Sequence, residues 1–298
     1  MRQITCPICS QHPEYEPEKV SVCQCASCGL RWTFLPDDVD AEALYTDEVY
    51  AVVDNRNSPF ERIIFSEASK ILKKARRIRP EGKTLLDFGS GKGQFLAVAK
   101  NADWEGLGIE TATERCNFAS EKYQVKVLNT WYQGGKIADG NFDMITLNHV
   151  LEHLPQPLVF MAELLGENLA KDGLVYIEVP RADSWQAGLS GKKWMHWDIP
   201  KHLTHWTESD LEKEFSKIGY QKVASRRISV HLGVLGMLQA LLSSLGYRKN
   251  LILQLKRRKS PSLLFLIAVV LPFAWVFELL SALFDKSGIV GIYLKRNG

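Results

Sequence analysis

Residues 84–93 read Thr-Leu-Leu-Asp-Phe-Gly-Ser-Gly-Lys-Gly. Two leucines lead into Asp87, and Gly89, Gly91 and Gly93 follow at alternate positions around Ser90. Glycine lets a backbone take positive φ and approach a ligand with no Cβ in the way. The first strand-to-helix turn of an α/β sheet is where nucleotide-like cofactors bind. A dinucleotide fingerprint requires Gly-x-Gly-x-x-Gly and a phosphate-cradling loop requires Gly-Lys-Ser/Thr; the Gly-x-Gly-x-Gly spacing here is neither. Glu110 closes the segment Gly106-Leu-Gly-Ile-Glu110, 23 residues after Asp87. A carboxylate at a second strand end can accept hydrogen bonds from both hydroxyls of a ribose.

A second chemistry sits at the start of the chain. Of six cysteines, five fall within residues 6–28. Cys6-Pro-Ile-Cys9 and Cys25-Ala-Ser-Cys28 are two Cys-x-x-Cys knuckles, and four thiolates at such spacing can surround one tetrahedral Zn²⁺. A redox pair is the alternative. A module of some 35 residues has too little core to fold alone, so the metal would supply folding energy. With all four positions filled by protein sulfur, such a zinc is structural. Cys23 is a spare that could exchange with Cys25, and Cys116 reads as a packed helix residue.

The third group is histidine-rich. In His149-Val-Leu-Glu152-His153, positions i, i+3 and i+4 would share a face if helical, so that three ligands could converge. The letters also match the inverted zincin motif, but Pro155 follows too soon for a long metal-bearing helix. The commoner reading is that Glu152 and His153 cap and order the helix here, with His153 a general acid/base candidate because imidazole titrates near neutrality. Trp194-Met-His-Trp-Asp198-Ile-Pro-Lys-His202-Leu-Thr-His205-Trp206 gathers histidine and tryptophan in one loop. Aromatic faces suit stacking on a sugar or other polyol, and an imidazole can take a hydroxyl proton. His202 is the expected base, with His149 second. The alternative is that the tryptophans pack the loop.

Alternating strands and helices must position these groups. Phe60–Ile78 has helical spacing. Strands are expected at 84–87, 106–110, 125–128, 141–147, 173–180 and 219–229, with a last one at 287–296, and helices at 93–100 and 113–122. Such alternation implies a doubly wound, mostly parallel sheet.

Here a resemblance becomes specific. Asp87–Gly93, Glu110, Asn141-Phe-Asp143, Leu147–Pro157 and Gly173–Pro180 occur in the order and spacing of class I S-adenosylmethionine (SAM) dependent methyltransferases, over roughly residues 60–230 plus the final strand. The resemblance implies a Rossmann-like, seven-stranded sheet whose last strand is antiparallel. It further implies that Asp87, Gly89, Ser90, Gly91 and Gly93 wrap the methionine portion of SAM and that Glu110 holds the ribose. Thr130 and Trp131 would neighbour the adenine, and Asn148 and His149 would line the methyl-donor pocket. Leu147–Pro157 also resembles the Glu-x-x-Glu-His segment of ubiquinone-type and small-RNA O-methyltransferases, which holds a divalent ion. This chain has His149 where that pattern has Glu, leaving Glu152 and His153 as candidate ligands. The Trp197-Asp-Ile-Pro-Lys-His202 stretch is similar to one in small methyltransferases found with bacterial polysaccharide and lipid-glycan enzymes.

Residues 231–286 exceed what a minimal sheet needs. Leu232, Leu235, Leu238, Leu242 and Leu245 lie at helical spacing, six cations lie between 248 and 259, and 263–284 carries Glu278 as its one charge. Pro272 is expected to divide that stretch into two pieces, each too short to cross ~30 Å of hydrocarbon. The return of the chain to the sheet excludes a single span. A hairpin docked on anionic lipid, beside the acceptor mouth, is the reading; a buried hairpin or dimer interface is the alternative. The domain plan is therefore a zinc ribbon at 1–35, a linker at 36–57, a methyltransferase domain at 58–230 and 287–298, and an apolar insertion at 231–286. Met1–Pro7 lacks an apolar signal core, which places the expected protein in the cytoplasm, on the inner face of the cell membrane. A net charge of +3 argues against nucleic acid as the partner. The sequence thus points to O-methylation of a small-molecule, sugar or lipid-linked acceptor. An RNA methyltransferase with a zinc module and a non-catalytic membrane scaffold are the alternatives.

Overall fold

Asp87 is reached by a strand that has nowhere to go but inward. In the computed structural model, which describes residues 3–13, 15, 17–36, 52–247, 249–257 and 260–298, Leu85 and Leu86 of β3 (Thr84–Phe88) are fully buried. Most of the linker expected at 36–57 lies outside the described residues, as do Arg248, Arg258 and Lys259.

The chain forms two compact units. The first to consider comprises Val52–Val179, Leu211–Arg226 and Gly291–Gly298. Its seven-stranded sheet has the order β5-β4-β3-β6-β7-β10-β9. The strands are β3, β4 (Glu105–Glu110), β5 (Lys126–Asn129), β6 (Phe142–Asn148), β7 (Leu169–Pro180), β9 (Tyr220–Arg226) and β10 (Ile289–Arg296). The run from β5 to β7 is parallel throughout, and β10 returns antiparallel to β9. This is the Rossmann-like sheet with an antiparallel last strand that the sequence implied. Helix α1 (Pro59–Ile78) starts at Ser58, whose side chain accepts from the Glu61 N–H, with Pro59 in the first turn, where its missing N–H costs nothing. Its buried face (Ala68, Ile71, Leu72, Ala75) packs with Leu85, Met144, Leu174, Tyr176 and Tyr293 in one core. Helix α2 (Gln94–Lys100) follows the glycine turn. The helix expected to run to 122 is α-helical only over α3 (Thr113–Phe118), after which Ala119–Tyr123 winds as a π-turn; α4 (Pro157–Asn168) and α6 (Glu208–Lys217) follow later in the chain.

The other unit comprises Met1–Ala51, Pro180–Asp210 and Arg227–Val290. It divides the chain differently from the sequence reading: the histidine–tryptophan loop groups with the cysteine module and the insertion. A three-stranded sheet explains this. Hairpin β1 (Ser21–Gln24) and β2 (Arg31–Phe34) is extended by β8 (Thr204–His205), which pairs antiparallel to β2 with Arg31 opposite His205. Here too lie α5 (Trp185–Ser190), α7 (Leu235–Ser244), α8 (Leu251–Arg257) and α9 (Pro261–Leu283). Pro272 does not divide α9, which is one helix of 23 residues. The missing backbone bond costs about 3 kcal/mol, and burial of Val270 and Ala274 with Met237, Leu238 and Leu242 of α7 offsets it. By length and composition α9 is the one helix among the described residues able to cross a membrane. The chain leaves β9 at Arg226 and re-enters beside it at Gly291, so one passage of α9 could not satisfy the connectivity.

Candidate active site

The parallel register of β3 and β6 sets Asp87 opposite Thr146. Asp87, only 2% exposed, accepts a hydrogen bond from the Thr146 hydroxyl at 2.7 Å and one from the Asn148 amide at 3.3 Å. Burial pushes its carboxyl up to about 7; the two hydrogen bonds pull the other way, and the nearby Glu110 charge adds to the rise. Thr146 is a site residue that sequence reasoning missed. Its signal was a lone polar letter in the run Met144-Ile-Thr-Leu147.

The turn after Asp87 needs its glycines. Gly89, Gly91 and Gly93 have φ of 70°, 53° and 76°, a region costly for residues with a Cβ. A Cβ on Gly89 would lie 2.5 Å from Val150 Cγ2, and one on Gly93 2.7 Å from Ala119 Cβ. A Cβ on Gly91 would meet nothing within 4 Å. Two glycines therefore allow close packing while the middle one faces an open cradle. Ser90 Oγ beside it is buried without a hydrogen-bond partner among the described residues.

Glu110, at the end of β4, ties that cradle. Its Oε2 accepts from the Gly91 N–H at 2.9 Å, and its Oε1 from the N–H groups of Thr111 and Ala112, each at 2.9 Å. A carboxylate has about four acceptor sites, so Oε2 keeps room for one further donor. The sequence reading expected Glu110 to serve two hydroxyls; three of its about four acceptor sites order the loop. Beyond it opens a cleft of about 490 Å³ whose walls include Ile109, Leu128, Thr130, Trp131 and Ile137. Trp131 is 69% exposed, leaving a π-face for a flat base. The wall behind is braced by the edge-to-face rings of Phe88, Tyr132 and Phe160. An open glycine, an orphaned hydroxyl, a spare carboxylate lone pair and a part-aromatic cleft together fit a nucleoside with a charged tail.

A family model described as a methyltransferase domain matches residues 60–225, more than half of the 298 residues. The chain belongs to the methyltransferase domain family. Its fold agrees. The plantazolicin methyltransferase BpumL in complex with SAH gives a TM-score of 0.52 at 17% identity, over 86% of this chain and 93% of that one. The same enzyme with a monoazolic desmethylPZN analogue and SAH gives 0.50 at 19%, over 82% and 87%. No curated protein matches the sequence. Family and cradle together make this a SAM-dependent methyltransferase of class I.

Within this methyltransferase, the other predicted residues are disposed as follows. His149 does not share a helical face with Glu152 and His153. It lies before the short 3₁₀ turn Leu151–His153 and has φ of 56°, so the expected convergence of three ligands on one face does not form. Instead its Nδ1 lies 3.5 Å from Glu152 and its Nε2 3.4 Å from Glu178. Burial alone would lower the imidazole, but the two flanking carboxylates raise it to about 9. Held between these two carboxylates, His149 favours its charged form, in which both ring nitrogens carry protons. Glu178 in turn accepts from the Tyr176 hydroxyl and pairs with Arg226, which also reaches Glu67 at 3.0 Å. Sequence reasoning missed this charge chain. His153 is half-buried at the end of the 3₁₀ turn.

His202 belongs to the other unit. Its Nδ1 lies 2.8 Å from the His196 carbonyl. A carbonyl only accepts, so Nδ1 carries a proton; Nε2 lies 3.9 Å from Asp198. In the same unit Cys6 and Cys28 approach to 3.6 Å and Cys9 and Cys25 to 3.4 Å, with all four sulfurs within 4.8 Å of one another. Tetrahedral sites with Zn–S near 2.3 Å hold sulfurs about 3.8 Å apart, and this donor set fits. Cys23 stands outside it; Cys116 is buried and donates to the Glu110 carbonyl at 3.4 Å.

Proposed function

We propose that this methyltransferase transfers a methyl group from SAM to a hydroxyl of a small-molecule acceptor, a sugar or a lipid-linked glycan or isoprenoid, at the cytoplasmic face of a membrane. The observation that carries the reading is the cradle: Asp87 and the open Gly91, tied by Glu110 beside an aromatic-walled cleft. SAM, when bound, supplies a methyl on a sulfonium. The protein's own contribution is to orient and to exclude water, with Asp87 and the Gly89–Gly93 backbone toward the amino-acid end, Glu110 toward the ribose, Thr130 and Trp131 toward the base, and Asn148 at the methyl end. Holding the two reactants in near-attack geometry supplies most of the acceleration. His202, through Nε2, takes the acceptor proton, a contribution of roughly 10²–10⁴-fold. BpumL, which shares the fold, is a plantazolicin methyltransferase crystallised with a desmethylPZN analogue and SAH, so the fold accommodates such an analogue there. The four-cysteine module binds structural zinc. A divalent ion at Glu152 and His153 is not needed for a base-assisted transfer.

Labelled-methyl transfer into lipid extracts tests the acceptor class: label in a polar lipid or glycolipid supports the reading, and label in RNA alone overturns it. If His202→Ala keeps near-normal turnover with intact SAM binding, the base assignment is wrong.

The lipid surface is supported by α9. Its single charge, Glu278, is 1% exposed and turned inward, accepting from the Gly288 N–H and the Gln186 amide, each at 2.9 Å. The other side shows Phe265, Phe273, Val276, Leu283 and Phe284 to solvent. Arg248, Lys249, Lys256, Arg257, Arg258 and Lys259 flank it in sequence, each good for about 1 kcal/mol near an anionic surface. The intact chain is expected to float with vesicles containing anionic phospholipid, less so as salt rises. Phe273→Asp with Leu283→Asp should abolish flotation and leave SAM affinity unchanged. Flotation unaffected by the double substitution would remove α9 from the membrane.

A further inference from the structure

The cysteine module is tied to the histidine-bearing loop through one side chain. Thr33, fully buried on β2, donates its hydroxyl proton to the His202 carbonyl at 2.5 Å, and its N–H bonds the Leu203 carbonyl at 2.9 Å. A hydroxyl has one proton. In its 2.9 Å contact with His205 Nε2 the Thr33 oxygen must therefore accept, which places the proton of His205 on Nε2. One threonine thus fixes both the backbone position of His202 and the tautomer of His205. Further bonds repeat the pattern. Arg31 donates to the Ala182 carbonyl at 3.0 Å, Ala182 N–H to the Trp206 carbonyl at 2.8 Å, and the Trp206 indole to Thr204 Oγ1 at 2.8 Å. The Trp197 ring stands edge-on to His205, with centroids 4.8 Å apart.

We infer that Thr33 is a positioning residue for methyl transfer, and that the four-cysteine module serves as the template on which the His202 loop is set. The argument rests on the reading of His202 as base. The physical reason is size. Strand β8 has two residues and cannot hold a loop unless a preformed partner strand offers its edge. β1 and β2, four residues each, form a two-stranded hairpin, marginal on its own in water. The cysteine cluster ahead of them closes the module: Cys6 and Cys25 are buried, and the Cys25 N–H bonds the Leu30 carbonyl at 2.9 Å at the mouth of β2. Metal bound to those thiolates would be folding energy for the hairpin, and so for the edge that carries β8. The cofactor cradle lies in the other unit and has its own core, so the two functions separate. Losing the module should cost transfer while sparing SAM binding.

The test uses the full chain, with Thr33→Val, Thr33→Ser and zinc stripped by a chelator. Backbone hydrogen exchange over 202–206 and SAM affinity by calorimetry are read beside turnover. Thr33→Val should raise exchange over 202–206 and lower kcat by about 10²-fold, the usual effect of small misplacement, with SAM affinity unchanged. Thr33→Ser, which keeps the hydroxyl, should restore most of the rate. Metal removal should release the same amides, and readdition of zinc should protect them. Unchanged exchange over 202–206 in both the Thr33→Val and the stripped chain overturns the inference, whatever the rate does. If instead the amides are released but His202→Ala turns over normally, the base assignment fails and Thr33 positions the loop without acting through His202.

Discussion

Asp87→Asn is expected to weaken SAM binding by about a hundredfold or more, on the scale of a buried charge-assisted contact, and to abolish a pH dependence that the native protein should show. In the free protein burial lifts the Asp87 carboxyl to about 7, against about 3.9 for an exposed aspartate. The folded chain therefore holds a proton between pH 4 and 7 that the unfolded chain has already released. Stability contributed by that proton is present at low pH, declines as pH rises through this window, and is flat above it. A ligand with a sulfonium and an ammonium favours the ionised form. Below about pH 7 binding must expel the proton, so affinity should climb by up to about tenfold per pH unit and level off above. Calorimetry in two buffers of different ionisation heat reads the expelled proton directly. Asp87→Asn should bind weakly at every pH, release no proton and melt no lower than the native chain at pH 8, since it no longer buries a charge. Affinity that is flat from pH 5.5 to 8 with no proton released would deny Asp87 this role.

The cradle was legible in the sequence because its demand is local. Three positive φ values at alternate positions can be met only by glycine without strain, and Gly89, Gly91 and Gly93 announce themselves one residue at a time. Glu110 was legible for a related reason, since a strand followed by an acid at a set distance is a chain property. What stayed hidden depends on pairing between distant segments. Thr146 matters because the β3–β6 register sets it beside Asp87, and nothing near residue 146 reports that register. Arg226 falls in the strand expected at 219–229, and the strand order brings it against Glu67 and Glu178, which its own segment does not report. β8 is too short to betray itself, so the grouping of residues 180–210 with the cysteine module could not be read ahead of the structure. Pro272 misled in the opposite direction: a local rule was overridden by the packing of α9 on α7. His149 combined both cases. Its type suggested a base, while the structure sets it between Glu152 and Glu178, a pairing that nothing near residue 149 reports in full.

Arg226→Met is expected to cost about 3–5 kcal/mol of stability, the usual effect of removing one partner from a buried ion pair, and so to lower the melting temperature by roughly 6–20 °C for a unit of this size. The guanidinium lies between Glu67 and Glu178, whose side chains are 5% and 3% exposed, and its loss leaves two carboxylates in the interior with one of their donors gone. Despite burial, the charges of Arg226 and His149 hold the Glu178 carboxyl well below the usual range; without Arg226 it must rise, and His149 is left as its one cationic neighbour among the described residues. The pH signs follow. Glu178 stabilises above the unfolded carboxylate value and loses that contribution as pH falls through its depressed folded value. His149, raised to about 9, contributes fully below about 6.5, the unfolded value, and loses its contribution as pH rises through 9. The chain should therefore lose stability between pH 7 and 9, a loss that His149→Asn removes. Adding Glu67→Gln to Arg226→Met should recover part of the loss, because it withdraws one of the stranded charges. Thermal unfolding of the four proteins at pH 6 and pH 9 decides the matter. If Arg226→Met melts within about 2 °C of the native chain, less than 1 kcal/mol on this scale, the interior pair contributes nothing to stability.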